Sequence, residues 1–365
     1  MKIAIITMSN GINYGNRLQN YAVQEVLKSL GCDVETIRNF TNQKNVDENS
    51  LKEKLKDLSA KINYMIPFTN IGKLKYILRE RRFFDFNKKY IKQTNYSIDA
   101  NNIPNDLNEK YDYFICGSDQ IWNPEFDINS EIDFLTFADK EKRIAFSPSF
   151  GVTKIEDSKK ENYKNMINGI KFLSVREEAG AEIIRELTNR KSTVLVDPTM
   201  LLSESDWIKI EKKPKLDIRK NYILTYFLGK KDKNLAMKID EISKIYDLDI
   251  INLLDEENKY IYSLDPSEFI WLIHNCKLIY TDSFHGTVFS MIFEKPFVVC
   301  ERKDNLKSMN SRLDTLLKKF NLNNRKIENL ELKSIFDINY EEKDDILEFE
   351  KEKSINYLKE ALNLK

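Results

Sequence analysis

The sequence carries no surplus of either charge: 58 lysines and arginines face 58 aspartates and glutamates across 365 residues. A protein that coats nucleic acid needs a basic surplus to displace counterions from phosphates, so no nucleic-acid partner is expected. A disordered chain combines high net charge with low hydrophobicity, and here 41% of residues are hydrophobic. Long apolar runs are missing too. None approaches the ~18 residues of a membrane span. The opening MKIAIIT is too brief for a signal-peptide core and has no small-residue cleavage site behind it. The four cysteines, Cys32, Cys116, Cys276 and Cys300, form no CxxC pair. Cys116 and Cys300 lie in or beside apolar runs, where a thiol acts as a small buried hydrophobe. A cytoplasmic protein is the expectation. Histidine is scarcer still, with only His274 and His285. Without a second histidine or paired cysteine at ligand spacing, no metal site is expected.

What is present is a rhythm of short apolar runs separated by helical patterns. Residues 3–6, 34–37, 113–116, 144–146, 172–175 and 194–196 read as one series of buried strands, with a helix from Leu18 to Leu30 ended by Gly31. A second series follows at 222–226, 249–252, 278–280 and 297–300. Strands separated by helices imply parallel sheets, so the expected class is α/β with two Rossmann-like domains facing a cleft. The expected divisions are 1–210, 211–340 and a C-terminal helical segment 341–365, with Lys212-Lys213-Pro214-Lys215 as the linker. Residues 41–100 break the rhythm as a mostly helical insertion rich in Lys and Asn. Between Lys73 and Lys92 they carry eight basic residues against two acidic ones. The bland reading is a solvated helical face. The functional alternative is a patch for an anionic acceptor or for peripheral contact with a membrane surface.

Ligands of doubly wound sheets bind beyond the carboxyl ends of the strands, so the loops there are the candidates. Residues 9–16 offer Asn13, Tyr14, Gly15 and Asn16 at a glycine-containing turn before a helix. They match neither a dinucleotide fingerprint nor a P-loop. The turn Gly117-Ser118-Asp119-Gln120-Ile121-Trp122 sets Ser118, Asp119 and Gln120 as hydroxyl binders beside Trp122, an apolar face for a sugar ring. Turn formation around a buried tryptophan is the competing account. Arg176 follows an apolar strand and places a planar cation at the ligand edge, or pairs with Glu177 or Glu178. Ser283, His285, Gly286 and Thr287 stand at a strand-to-helix junction, where a histidine works as a general acid or binds an anion.

Taken in order, Asn13-Tyr14-Gly15-Asn16-Arg17-Leu18-Gln19, Gly117 to Pro124, Ser174-Val175-Arg176-Glu177, Asp197-Pro198-Thr199 and Asp282-Ser283-Phe284-His285-Gly286 resemble the polysaccharide pyruvyl transferase family. The resemblance implies a fold similar to the glycosyltransferase B class, with residues 344–362 packing back near the N-terminal half. It implies transfer of the enolpyruvyl unit of phosphoenolpyruvate to two hydroxyls of one sugar, forming a pyruvate ketal on a cell-surface polysaccharide or its lipid-linked or nucleotide-linked precursor. Phosphoenolpyruvate is then the donor substrate and no cofactor is required. By the same resemblance His285 is the general acid or a phosphate ligand, and Arg176 clamps the donor's anionic end. Ser283, Gly286, Thr287, Arg302 and Lys303 complete the donor side, while Asn13, Asn16, Asp119 and Trp122 face the acceptor. Family members carry an Arg-Leu-His run where this chain has Ser283-Phe284-His285, so a donor-binding cation is missing at position 283 and Arg302 and Lys303 are its candidate substitutes. The alternatives are a nucleotide-sugar-dependent glycosyltransferase of the same architecture and a non-catalytic sugar-binding homologue.

Overall fold

The apolar runs become parallel strands because crossover helices cover both faces of each sheet and leave no polar side to alternate toward. In the computed structural model, which describes residues 1–9, 11–41, 71–126, 130–302 and 311–365, they form two main sheets. The first comprises β1 (Lys2–Ile6), β2 (Asp33–Asn39), β3 (Gln93–Ile98), β4 (Tyr113–Cys116) and β5 (Arg143–Ala145), in the order β3-β2-β1-β4-β5. A two-stranded parallel pair, β6 (Ser174–Val175) with β7 (Thr193–Val194), adjoins it through an Ile144–Phe172 bridge. The second sheet comprises β8 (Tyr222–Tyr226), β9 (Asp249–Leu253), β10 (Leu278–Thr281) and β11 (Phe297–Val299), in the order β11-β10-β8-β9. Each sheet reverses its direction of growth once, between β1 and β4 and between β8 and β10. The molecule is thus α/β, with two Rossmann-like halves.

Three local features differ from the sequence reading. The first helix, Tyr14–Ser29, begins four residues before Leu18, because the Asn13 side chain caps it by accepting from the Asn16 amide at 3.3 Å. Tyr14, Gly15 and Asn16 are therefore helical. Residues 172–175 and 194–196 do not simply extend the first sheet but form the adjoining pair. The third difference falls in the insertion: part of it, 42–70, lies outside the described residues. The remainder holds the helix Ile71–Tyr90 and also β3, which pairs with β2 along the sheet edge. An edge strand is paired on one side only, so a polar run such as QTNYSI suffices with Thr94 and Ile98 turned inward.

Part of the basic surplus of 73–92 is engaged rather than solvated. Lys75 pairs with Glu256 at 2.8 Å and Arg82 with Glu268 at 2.8 Å, both on the side of the second sheet. Arg79 is buried and donates to the Tyr14 hydroxyl and to the Ile12 and Tyr262 carbonyls. Around it Tyr14 stacks on Phe269 at 4.5 Å, and Phe83, Phe86, Tyr226 and Phe289 join the same core. One hydrophobic core thereby runs continuously from one half into the other.

The C-terminal helix Lys343–Ala361 touches both halves. Near its start Lys343 pairs with Glu294, and Glu350 accepts from Lys319, both at 2.6 Å. At its far end Leu358, Ala361 and Leu362 join Ile3, Ile5 and Val23 beneath the first sheet, and the Tyr357 hydroxyl donates to the Ala145 carbonyl at 2.7 Å. No described helix is long and apolar enough to cross a membrane. All four cysteines are buried and unbonded, and burial pushes the Cys276 and Cys300 thiols up to about 12, leaving them without thiolate reactivity at neutral pH.

Asp133 yields a stability prediction. Burial pushes its carboxyl up to about 7, only partly offset by the Ser130 amide and hydroxyl. A raised folded-state value means that the neutral form is favoured on folding. The associated stability is complete below the ordinary carboxylate range and is lost as pH rises through about 7. Thermal unfolding measured from about pH 6 to about pH 8 should show a falling midpoint. Asp133→Asn should flatten that slope, and a slope unchanged in the variant would exclude Asp133 as its source.

Candidate active site

Both reversal points open onto the same space. The loops after β1 and β4 meet those after β8 and β10, the position at which doubly wound sheets bind ligands. Between them lies a cavity of about 230 Å³ lined from the first half by Met8, Asn13, Asn16, Asp119, Gln120 and Phe126. Leu228, Asp282, Ser283, Phe284, His285, Arg302 and Arg312 line it from the second. Asp282 ties two of these loops together by accepting from the Leu228 and Gly229 amides at 2.7 and 2.8 Å.

His285 stands in the first turn of the helix Phe284–Ile292, which Ser283 caps. Its Nε2 lies 3.5 Å from Asp197 Oδ2. The ring is held from the other side by Gly15, where an added Cβ would sit 2.0 Å from the His285 Nδ1. Only glycine lets the helix Tyr14–Ser29 approach the imidazole this closely. Asp197 is fully buried, caps the turn Pro198–Leu201 and accepts from the Thr199 amide and hydroxyl at 3.0 and 2.6 Å. Burial alone would raise its carboxyl, but His285, Arg176 and Thr199 together hold it well below the ordinary carboxylate range. It is an anion at any working pH and stands against the His285 imidazole at the cavity wall.

Arg176 occupies a different place from the one the resemblance implies. Its side chain is 1% exposed and bridges Asp197 at 2.5 Å and Asp119 at 3.2 Å, with its guanidinium 4.4 Å from the Phe284 ring centre. It does not line the cavity. Two carboxylates already neutralise it, and it holds Asp119 and Asp197 together inside the protein. Asp119 itself has left-handed backbone, φ +64°, after Gly117 at φ +115°. A Cβ at Gly117 would meet the Phe146 carbonyl oxygen at 2.3 Å, so the chain enters this turn only through glycine.

Of the other residues singled out from sequence, Asn13, Asn16, Gln120, Ser283 and Arg302 reach the cavity. Trp122 does not: it is completely buried, stacks on Phe134 at 5.0 Å and donates to the Asp133 carbonyl at 3.0 Å. Its indole is core and offers no face to a sugar. Tyr14 is equally buried, with its hydroxyl on the Leu264 carbonyl at 3.1 Å. Ser118 is enclosed and donates to the Ser147 carbonyl at 2.9 Å. Gly286 and Thr287 lie one turn inside the helix, where the Gly286 amide already donates to Ser283 Oγ at 3.3 Å and Thr287 Oγ1 donates to the Ser283 carbonyl at 3.1 Å. Lys303 lies outside the described residues.

Two contributors were not picked out as site residues from sequence. Asp197 was visible only as part of the Asp-Pro-Thr run. Arg312, second residue of the helix Ser311–Lys319, carried no signal, since Ser-Arg-Leu-Asp reads as the polar start of an amphipathic helix. In the structure it is more than nine-tenths buried and reaches the cavity, its guanidinium 5.7 Å from the Phe284 ring centre.

The family model described as polysaccharide pyruvyl transferase matches residues 13–305. No curated protein matches the sequence. Among solved structures, UDP-GlcNAc 2-epimerase from Neisseria meningitidis bound to UDP-GlcNAc is 11% identical, with 99% of each chain covered and a TM-score of 0.49. The E. coli heptosyltransferase WaaC with ADP-2-deoxy-2-fluoro heptose is 9% identical, covering 87% of this chain and 99% of that one, TM-score 0.36. The glycosyltransferase SnogD from Streptomyces nogalater is 9% identical over 99% of this chain and 95% of its own, TM-score 0.40. With the family model spanning both halves and the turns that line the cavity, the chain belongs to the polysaccharide pyruvyl transferase family.

Proposed function

We propose that the protein transfers the enolpyruvyl unit of phosphoenolpyruvate to two hydroxyls of one sugar in a surface-glycan precursor, releasing phosphate and leaving a pyruvate ketal. The observation that carries this reading is the cavity itself: one buried histidine backed by a permanent carboxylate, with Arg302 and Arg312 in the wall, in about 230 Å³. Sites for drug-sized ligands occupy roughly 300–1,000 Å³, so this one suits a small, doubly anionic donor better than a nucleotide sugar.

The chemistry balances with these groups. His285 gives a proton to the methylene carbon, and the adjacent carbon becomes oxocarbenium-like. The first sugar hydroxyl adds there and returns its proton to the now neutral imidazole. Phosphate departs with the C–O electrons, the second hydroxyl closes the ring, and its proton leaves on the phosphate. Asp197 stabilises the charged imidazole at the start and the end, in the manner of a carboxylate behind a catalytic histidine. In this reading the acceptor's hydroxyls are oriented by Asn13, Asn16 and Asp119, which line the opposite wall.

The test is incubation with phosphoenolpyruvate and a panel of nucleotide-linked and lipid-linked sugars. Phosphate release should accompany a product heavier than the acceptor by one pyruvate less one water. Phosphoenolpyruvate should raise the thermal midpoint, by mass action on the folded state. Stabilisation by UDP or ADP with none by phosphoenolpyruvate would overturn the donor assignment.

A further inference from the structure

We propose that Arg312 is the cation that binds the donor's anionic end, standing in for the arginine that this chain lacks two residues before His285. The proposal rests on the reading of the cavity as the site of a small anionic donor. Three observations lead to it.

First, Arg176 is unavailable to a ligand, since Asp119 and Asp197 hold it inside the protein. Second, Arg312 is the converse case. It is buried and lines the cavity, yet it has no carboxylate within ion-pair distance among the described residues, and its Nε has no hydrogen-bond partner. Its polar neighbour is the Gln120 amide, whose oxygen lies 3.1 and 3.2 Å from the two terminal nitrogens once turned toward them. Gln120 is neutral, so the guanidinium keeps its full charge. Third, burial opposes that charge. Burial, and then repulsion from Arg176, push Arg312 down to about 10, opposed by Asp119 and Glu177 and with a smaller repulsion from Arg302 behind them. A buried cation with no carboxylate paired to it and a free donor is a cost to the folded protein that an entering carboxylate or phosphate removes. The residue also lies beyond 305, where the match to the family model ends. The arginine is thus supplied by the helix after β11 instead of by the turn after β10.

The experiment compares wild-type protein with Arg312→Gln and Arg312→Lys, measuring dissociation constants for phosphoenolpyruvate, inorganic phosphate and pyruvate by calorimetry, and unliganded thermal midpoints. Removing a buried cation that no carboxylate pairs should leave the Arg312→Gln midpoint at or above that of wild type. Its affinity for phosphoenolpyruvate should fall roughly 10- to 100-fold, the value of one charge-assisted contact. Arg312→Lys should lie between and serves as the folded control if the glutamine variant is unstable. Parallel loss of phosphate binding assigns the phosphate end to Arg312, and parallel loss of pyruvate binding assigns the carboxylate. Unchanged affinity for phosphoenolpyruvate in both variants overturns the proposal and leaves the donor reading standing. If wild type ignores phosphoenolpyruvate but binds phosphate through Arg312, the anion site stands and the donor reading falls. If it binds none of the three, both fall.

Discussion

Replacing His285 with glutamine is expected to lower turnover with phosphoenolpyruvate by roughly 10²–10⁴-fold, the range a positioned proton donor contributes. Glutamine preserves much of the side-chain volume but cannot carry a proton to carbon. Affinity should behave differently. The groups proposed to hold the donor are Arg312 and Arg302, neither of which depends on the imidazole, so phosphoenolpyruvate should still protect the variant thermally. A fall in kcat with a nearly constant dissociation constant is the expected signature. Turnover within a fewfold of wild type would remove His285 from the chemistry. Because Asp197 remains paired with Arg176 at 2.5 Å, the variant keeps its buried charges balanced and should fold.

Arg176→Met is expected to act first on the fold. It leaves Asp119 and Asp197 with no shared cation, and breaking a buried ion pair from one side typically costs about 3–5 kcal/mol. Chemical denaturation should show a loss of that order. Adding Asp119→Asn to Arg176→Met should recover part of it, since the remaining Asp197 still has His285 at 3.5 Å and the Thr199 hydroxyl at 2.6 Å. The opposite outcome is informative. Wild-type stability with selective loss of phosphoenolpyruvate binding would make Arg176 a donor ligand, as the resemblance implies, and not the internal bridge described here.

The legible parts of the molecule were those with local causes. Parallel strands buried on both faces appear as unbroken apolar runs, so β1, β4, β8 and β10 could be read directly, and with them the strand-end turns that bear Asn13, Asp119 and His285. What could not be read depends on which way a side chain turns. Trp122 and Asp119 share one turn, yet one enters the core and the other the cavity, because Phe134 and the Asp133 carbonyl claim the indole. Arg176 looks like an exposed cation after a strand until Asp197, 21 residues later, is brought beside it. Arg312 belongs to a helix whose pattern announces only amphipathicity. Edge strand β3 was lost in a polar segment for the reason that lets it exist: pairing on one side asks little of composition.

The C-terminal helix gives this architecture a mechanical property. Nineteen helical residues form a rod of about 28 Å at 1.5 Å per residue. Its first turns are anchored to Glu294 and Lys319, and its last to the underside of the first sheet. Parting the two halves therefore means breaking contacts at one end of this rod as well as the core they share.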